Sequence, residues 1–276
     1  MSITISAQEV NRLRKATGIG MMDCKHALVE AEGDFDKAID ILRKKGQKVA
    51  AKRADRSANE GRVIAKVNAD STKGYILVLS CETDFVGKND EFVALSEKLI
   101  NEAMDKNIST REELLALNIN GMAVPEMLLE LTGKTGEKIE LPDFKVIEAA
   151  HVTAYNHLGN RLAVIAGFNI PGHEDASHEV ALQIAAMNPV ALSAETLPKE
   201  TIEHELEIAR DTTRQEGKPE KMVEQIAQGK LNKFFKENTL LAQEYYADSK
   251  MNVADFMKKA DPNMTCTGFF RLQLGA

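Results

Sequence analysis

The first 46 residues place apolar side chains at helical spacing. Ser6 and Glu9 have the separation of a capping box, which predicts a helix from Ala7 with Val10 and Leu13 on one face. "TGIG" (17–20) ends it, because glycine is a poor helix-interior residue. A second helix is predicted over about 22–31, with Cys24 and Leu28 four apart and Gly33 as its breaker. Asp34 can cap a third, striped by Phe35, Ala38, Ile39 and Leu42, with Gly46 as the expected terminator.

From Gly61 the period shortens. "RVIAKVNA" and "YILVLSCETD" flank "DSTKG", which reads as a hairpin. Both strands carry apolar residues on both faces, so the sheet should be covered on both sides. A helix is predicted over about 89–104, with Phe92, Leu95 and Leu99 on one side, then short helical pieces near 110–117 and 124–132. The plan then repeats. "EAAHVTAYN", the turn "HLGN" and "RLAVIAGF" form a second hairpin, and 178–187 a second helix. Residues 198–236 read as an antiparallel helical hairpin broken at "GKP" (217–219). The tail "MTCTGFFRLQLGA" alternates like a closing strand.

Composition narrows the class. The chain has 276 residues, 43% hydrophobic and 28% charged, with a formal net charge of -7, which disfavours nucleic acid as a partner of the whole molecule. Apolar runs such as "YILVL" fall far short of the roughly 20 residues of a membrane span. "MSITISAQEVNR" lacks a basic leader and an apolar signal core, so a cytoplasmic protein is expected. Cys24, Cys81 and Cys266 are odd in number and far apart, which points to reduced thiols.

Enzyme motifs fail on inspection. "TGKTGEK" (132–138) resembles a phosphate loop, but Leu128 stands where that motif needs its first glycine. His173 and His178 in "HEDASH" are five apart, about 140° round a helix, against the four-residue spacing of helical zinc ligands. No cofactor and no metal site of its own are expected. "RKKGQKVAAKRADR" (43–56) reads either as a phosphate-binding patch or as a solvated helix-linker. The absence of interleaved aromatics favours the linker. The alternative is a ribosome- or RNA-associated adaptor whose Lys44, Lys45, Lys48, Lys52 and Arg53 contact phosphates. What remains are exposed-looking residues at turns and tips: Met21-Met22, Asp84-Phe85 and His157-Leu158. Phe85 either plugs the core or points outward into a partner; methionines and aromatics at such places suit a protein interface.

Four stretches taken together carry a resemblance. "LRKATGIGMMDCKHAL" (13–28), "CETDFVGKNDEF" (81–92), "GKPEKMVEQIAQGKLNKFF" (217–235) and "TGFFRLQLG" (267–275) resemble, in order, segments of the bacterial elongation factor Ts family. The resemblance implies an α+β fold. A small three-helix domain like ubiquitin-associated domains comes first. Two related α+β subdomains of antiparallel hairpins packed with helices follow, with a helical hairpin inserted in the second. The expected units are 1–56, 57–140 and 141–276, the hairpin covering about 198–236. It implies a non-enzymatic guanine-nucleotide exchange factor for the translation GTPase elongation factor Tu.

The resemblance also implies site residues. Thr83, Asp84, Phe85 and Val86 match a segment that wedges beside the GTPase magnesium site. His157 matches a histidine that approaches its phosphate-loop region, with Leu158 as companion, although "HLGNR" is one residue longer than the usual turn. Leu13, Met21 and Met22 match the docking surface of the N-terminal domain. Some members add a C-terminal helical module, which is not expected past Ala276. Self-association through the helical hairpin is a further expectation.

Overall fold

The computed structural model describes residues 5–275. Met1–Thr4 and Ala276, which the expected first and last units include, lie outside them. The N-terminal helices are α1 (Ala7–Thr17), α2 (Met21–Glu30) and α3 (Phe35–Arg53). The capping box on α1 forms as expected: the Glu9 amide donates to Ser6 Oγ at 3.2 Å and the Ser6 amide to Glu9 Oε2 at 2.7 Å. Gly18 closes α1 in the left-handed region at φ 69°, and Asp34 caps α3 by accepting from the Lys37 amide at 3.0 Å. Val10, Leu13, Cys24, Leu28, Ala38 and Leu42 meet in the interior of this three-helix unit.

The next stretch builds the first sheet and its cover. In chain order it contains β1 (Glu60–Val67), β2 (Lys73–Cys81), α4 (Asp84–Gly87), α5 (Asp90–Asp105), α6 (Arg111–Ala116), β3 (Asn118–Ile119), β4 (Met122–Ala123), α7 (Val124–Thr135) and β5 (Glu140–Glu148). The sheet has the order β1-β2-β5 and is antiparallel, with Val63 opposite Val78 and Leu77 opposite Phe144. β5 pairs with β2 and continues this sheet to Glu148. Pro142 lies in it, which a strand tolerates at a sheet edge, and the β2–β5 register shifts between Val78 and Ser80.

The remainder contains β6 (His151–Asn156), β7 (Leu162–Phe168), α8 (Glu174–Met187), α9 (Lys199–Gln215), α10 (Glu220–Asn238), β8 (Glu244–Tyr245), β9 (Asp248–Asn252), α11 (Val253–Ala260) and β10 (Cys266–Gln273). The second sheet has the order β10-β7-β6, so the tail is the expected closing strand, paired to β7. α9 and α10 form the expected antiparallel hairpin. Ala209, Thr213, Val223, Ala227 and Leu231 are buried along it, and its flank carries Arg210–Glu224 and Lys230–Glu216 pairs, each at 2.7 Å.

Strand alternation sorts the apolar residues into layers. Tyr75, Leu77 and Leu79 face out from β2 onto Phe92, Leu99 and Leu114 of the covering helices. Ile76 and Val78 face the other way and, with Val63 and Ala65, pack on Ala163 and Ile165 of the second sheet and on Leu274, just past its last strand. The outer face of that sheet, Val164, Ala166 and Phe168, is covered by Val180 and Ile184 of α8 and Met257 of α11. The result is helix, sheet, sheet, helix, with a shared apolar interior between the sheets. Both sheets are covered on both faces, as the doubly apolar strands required.

One expectation needs correction. Gly46 does not end α3; the helix runs through it to Arg53, and Gly46 is buried. A Cβ built on Gly133 of α7 would lie 3.1 Å from the Gly46 Cα, and one on Gly46 would lie 3.4 Å from the Gly133 Cα. The two glycines let α3 and α7 cross backbone to backbone. Most of the basic stretch 43–56 is therefore helix docked on the core. Lys45 pairs with Asp23 at 2.5 Å and Arg53 with Glu82 at 2.6 Å, while Lys44, Lys48 and Lys52 are exposed.

Candidate protein-docking edge

The segment after β2 is built residue by residue. Thr83 is extended (φ -126°, ψ 154°) and acts as N-cap: its side chain accepts from the Val86 amide at 3.4 Å. Asp84–Gly87 then make a single helical turn before α5. The sequence pattern placed Phe85 at a strand end and missed this turn, because four residues carry no readable period. In the turn, Val86 packs inward on the first sheet's helical cover, whereas Phe85 is 83% exposed. Phe85 therefore points outward and does not plug the core.

The turn sits tightly on the sheet. Gly87 is buried, and a Cβ on it would lie 3.1–3.2 Å from backbone atoms of Gly61 in β1. Gly61 has φ 133°, and any side chain there would overlap the Leu79 carbonyl of β2. Asp84 pairs with Lys88 at 2.6 Å, and that hydrogen bond holds its carboxyl below the usual aspartate range. Asp84 thus presents a charge to solvent beside the exposed ring.

The second element is the β6–β7 turn. Gly159 and Asn160 both have positive φ, 85° and 53°, and Leu158 at the tip is 93% exposed. The adjacent His157 is exposed, with Nδ1 2.8 Å from the Tyr155 hydroxyl. This turn is fastened to β1. The Val63 amide donates to the Asn160 carbonyl at 2.7 Å, and the Asn156 side chain pairs with both backbone groups of Ala65 at 2.8 and 2.9 Å. Arg161 pairs with Glu60; that bond, and secondarily the charge of Asp84, raise the arginine's pKa. Strand β1 thereby carries the Phe85 turn at Gly61 and the Leu158 turn at Val63 and Ala65. Two exposed apolar tips far apart in sequence stand along one edge of the double sheet.

The third element is the start of α2, where Met21 and Met22 are 51% and 60% exposed. The preceding turn is held against the core, since a Cβ at Gly18 would lie 3.1 Å from Lys134 of α7, itself paired with Glu91 and Glu130. Leu13 does not share their surface. It is fully buried in the three-helix interior, so the expectation that it docks a partner is corrected: an apolar side chain on the inner face of α1 supports that surface from beneath.

The remaining candidates fall elsewhere. "TGKTGEK" closes α7, with Gly136 at φ 73° as its left-handed cap. A helix C-terminus presents carbonyls, the wrong end for phosphate. His173 precedes α8 and lies 3.6 Å from Asp261, and His178 meets the Tyr155 ring edge-on.

A family model described as elongation factor TS matches residues 82–276. The chain belongs to the elongation factor Ts family. It is 54% identical over 273 residues to elongation factor Ts of Christiangramia forsetii, covering 98% of this chain and 99% of that one. It is 52% identical over 274 residues to that of Flavobacterium psychrophilum, covering 99% of each. To that of Porphyromonas gingivalis it is 46% identical over 277 residues, covering both in full. Among the described residues no helix is long and apolar enough to cross a membrane.

Sequence reasoning missed the residues that hold the edge in place. Glu137, Arg53, Asn156 and Arg161 act through partners 29 to 101 positions away. Such pairings leave no local pattern in one sequence.

Proposed function

We propose that the edge carrying Phe85 and Leu158 is the working surface of nucleotide exchange. As a member of its family, the chain is the guanine-nucleotide exchange factor for elongation factor Tu in translation elongation, and it is not an enzyme. The observation that supports this site is the outward Phe85 ring, braced by a turn that packs backbone to backbone on β1. In this reading Phe85 inserts beside the GTPase magnesium site and Asp84 brings negative charge with it. Magnesium needs strict oxygen geometry and bridges the nucleotide phosphates, so displacing the segments that position it loosens GDP without a new ligand for the metal. His157 and Leu158 approach the phosphate-loop side. Met21 and Met22 dock the N-terminal helices. Thr83 and Val86 hold the wedge from within.

Exchange of this kind is linkage: whatever binding does to nucleotide affinity, nucleotide does to binding. A release accelerated about 10⁴-fold corresponds to about 5.5 kcal/mol at the barrier. One aromatic anchor contributes about 2–4 kcal/mol, so the Leu158 and methionine contacts carry the rest. The test is release of labelled GDP from elongation factor Tu in excess unlabelled nucleotide. Wild-type chain should accelerate it strongly, and Phe85→Ala and Leu158→Ala chains much less. Equal acceleration by all three would remove the edge from the mechanism. We also read residues 1–56, 57–140 and 141–276 as successive units, with β5 lent to the first sheet. Light scattering of the chain alone, and with its partner, tests the self-association expected of the α9–α10 hairpin.

A further inference from the structure

We propose that Glu137 is a positioning residue for exchange: its carboxylate clamps Thr83 and so fixes the direction in which the Phe85 ring points. This rests on the reading of Phe85 as the inserting group.

The geometry is specific. Glu137 follows the left-handed cap of α7 and is half-buried. One carboxylate oxygen accepts from the Thr83 amide at 2.9 Å and the other from the Thr83 hydroxyl at 2.7 Å. The Thr83 hydroxyl oxygen in turn accepts from Val86, and the Thr83 carbonyl from Gly87 at 3.1 Å and from Cys81 Sγ at 3.1 Å. Every polar atom of Thr83 is engaged within this chain, so Thr83 has no free donor for a partner. It is a hinge pin whose two donors end on one side chain. The residue before it is held as well. Glu82 accepts from Arg53 at 2.6 Å and from the Lys138 amide at 2.8 Å. The α7–β5 turn, 136–138, therefore grips both residues that lead into Asp84-Phe85.

A four-residue turn has little helical stability of its own. Its direction is set by its cap and by Gly87 on Gly61. Without the Glu137 carboxylate the Thr83 amide and hydroxyl lose a charged acceptor, and the turn can rotate about the Glu82–Thr83 link. The ring stays exposed and the fold stays closed, but fewer molecules present the ring in the inserting direction. Misplacement of an inserting group lowers the maximal rate more than it lowers docking, because docking draws on Leu158, Met21 and Met22 as well.

The experiment measures labelled-GDP release from elongation factor Tu across a range of full-length factor. Glu137→Ala should lower the saturating rate about ten-fold, in the range expected for losing charge-assisted hydrogen bonds. Its half-saturating concentration should move less than three-fold, about the scatter of small context effects. Glu137→Gln, which keeps an acceptor and the side-chain length, should recover most of the rate. On a Phe85→Ala background Glu137→Ala should add nothing, since it acts through that ring. Equal slowing on both backgrounds, or an unchanged rate for Glu137→Ala where Phe85→Ala is slow, overturns the clamp and leaves the wedge standing. An unchanged rate for Phe85→Ala itself overturns the wedge, and the clamp with it. Should Glu137→Ala not fold, Thr83→Val removes the hydroxyl's bond to Glu137 and its cap bond from the Val86 amide while leaving the Thr83 amide bond to Glu137 in place; it should slow release several-fold, and wild-type release by it overturns the proposal.

Discussion

Truncating Phe85 to alanine separates a docking ring from a core ring by magnitude. A covered phenylalanine buries about 150–250 Å². At about 25 cal/mol per Å², covering the 83% of Phe85 that is exposed would yield about 3–5 kcal/mol on docking. The fraction already covered accounts for about 1 kcal/mol or less of folding stability. Alanine is also the better helix former by about 0.5 kcal/mol, which offsets part of that. The variant should therefore unfold within about 1 kcal/mol of wild type in urea. A core phenylalanine would instead lose about 3–5 kcal/mol. On exchange the expectation is opposite in size. A central aromatic contact of 2–4 kcal/mol corresponds to release slowed roughly 30- to 1000-fold. Stopped-flow release of a fluorescent GDP from elongation factor Tu, beside urea unfolding of the free variant, reads both quantities. A variant that loses several kcal/mol of stability, or one that releases GDP at the wild-type rate, would refute the reasoning.

Three further predictions follow from the packing and the charges. Gly133→Val places a branched side chain where even a Cβ lies 3.1 Å from the Gly46 Cα, so α3 must lift from α7; a loss of about 1–3 kcal/mol is expected in urea unfolding, with weaker binding to the partner. Cys24, Cys81 and Cys266 are all buried, and burial pushes the thiols of Cys81 and Cys266 up to about 12. All three should resist a thiol reagent at pH 8 and react in denaturant; fast labelling of the native chain would contradict this burial. Glu179 accepts from the hydroxyls of Tyr246 and Tyr245, and these bonds hold it below the usual glutamate range. Its stabilising contribution is present above the ordinary glutamate pKa and is lost as pH falls through the lowered value. The advantage of wild type over Glu179→Gln in urea should accordingly persist at pH 7 and shrink below about pH 4.

Local signals made the N-terminal helices legible: a capping box, an aspartate cap and a left-handed glycine each act within a few residues. Gly46 misled because glycine's two uses, ending a helix and admitting a neighbouring backbone, look alike until the neighbour is known. β5 was hidden for a similar reason. Pro142 argues against a central strand, and the edge position that admits it is a property of the whole sheet. Among the site residues, Phe85 and Leu158 stood out as large apolar side chains at turns, but their outward direction is set by Val86 and by Asn156 pulling the other way. Leu13 lies on the same stretch as Met21 and Met22, and only the packing of α1 separates support from surface. Glu137 was invisible, lying 54 residues from the threonine it clamps.

The apolar interior shared by the two sheets has a mechanical consequence. Ile76 and Val78 on one side and Ala163 and Ile165 on the other lock together the halves that bear Phe85 and Leu158. The two prongs thus form a gauge of fixed opening, set when the chain folds. If these two tips are the docking prongs proposed above, the GTPase and not this shared core is the part that deforms when the two meet.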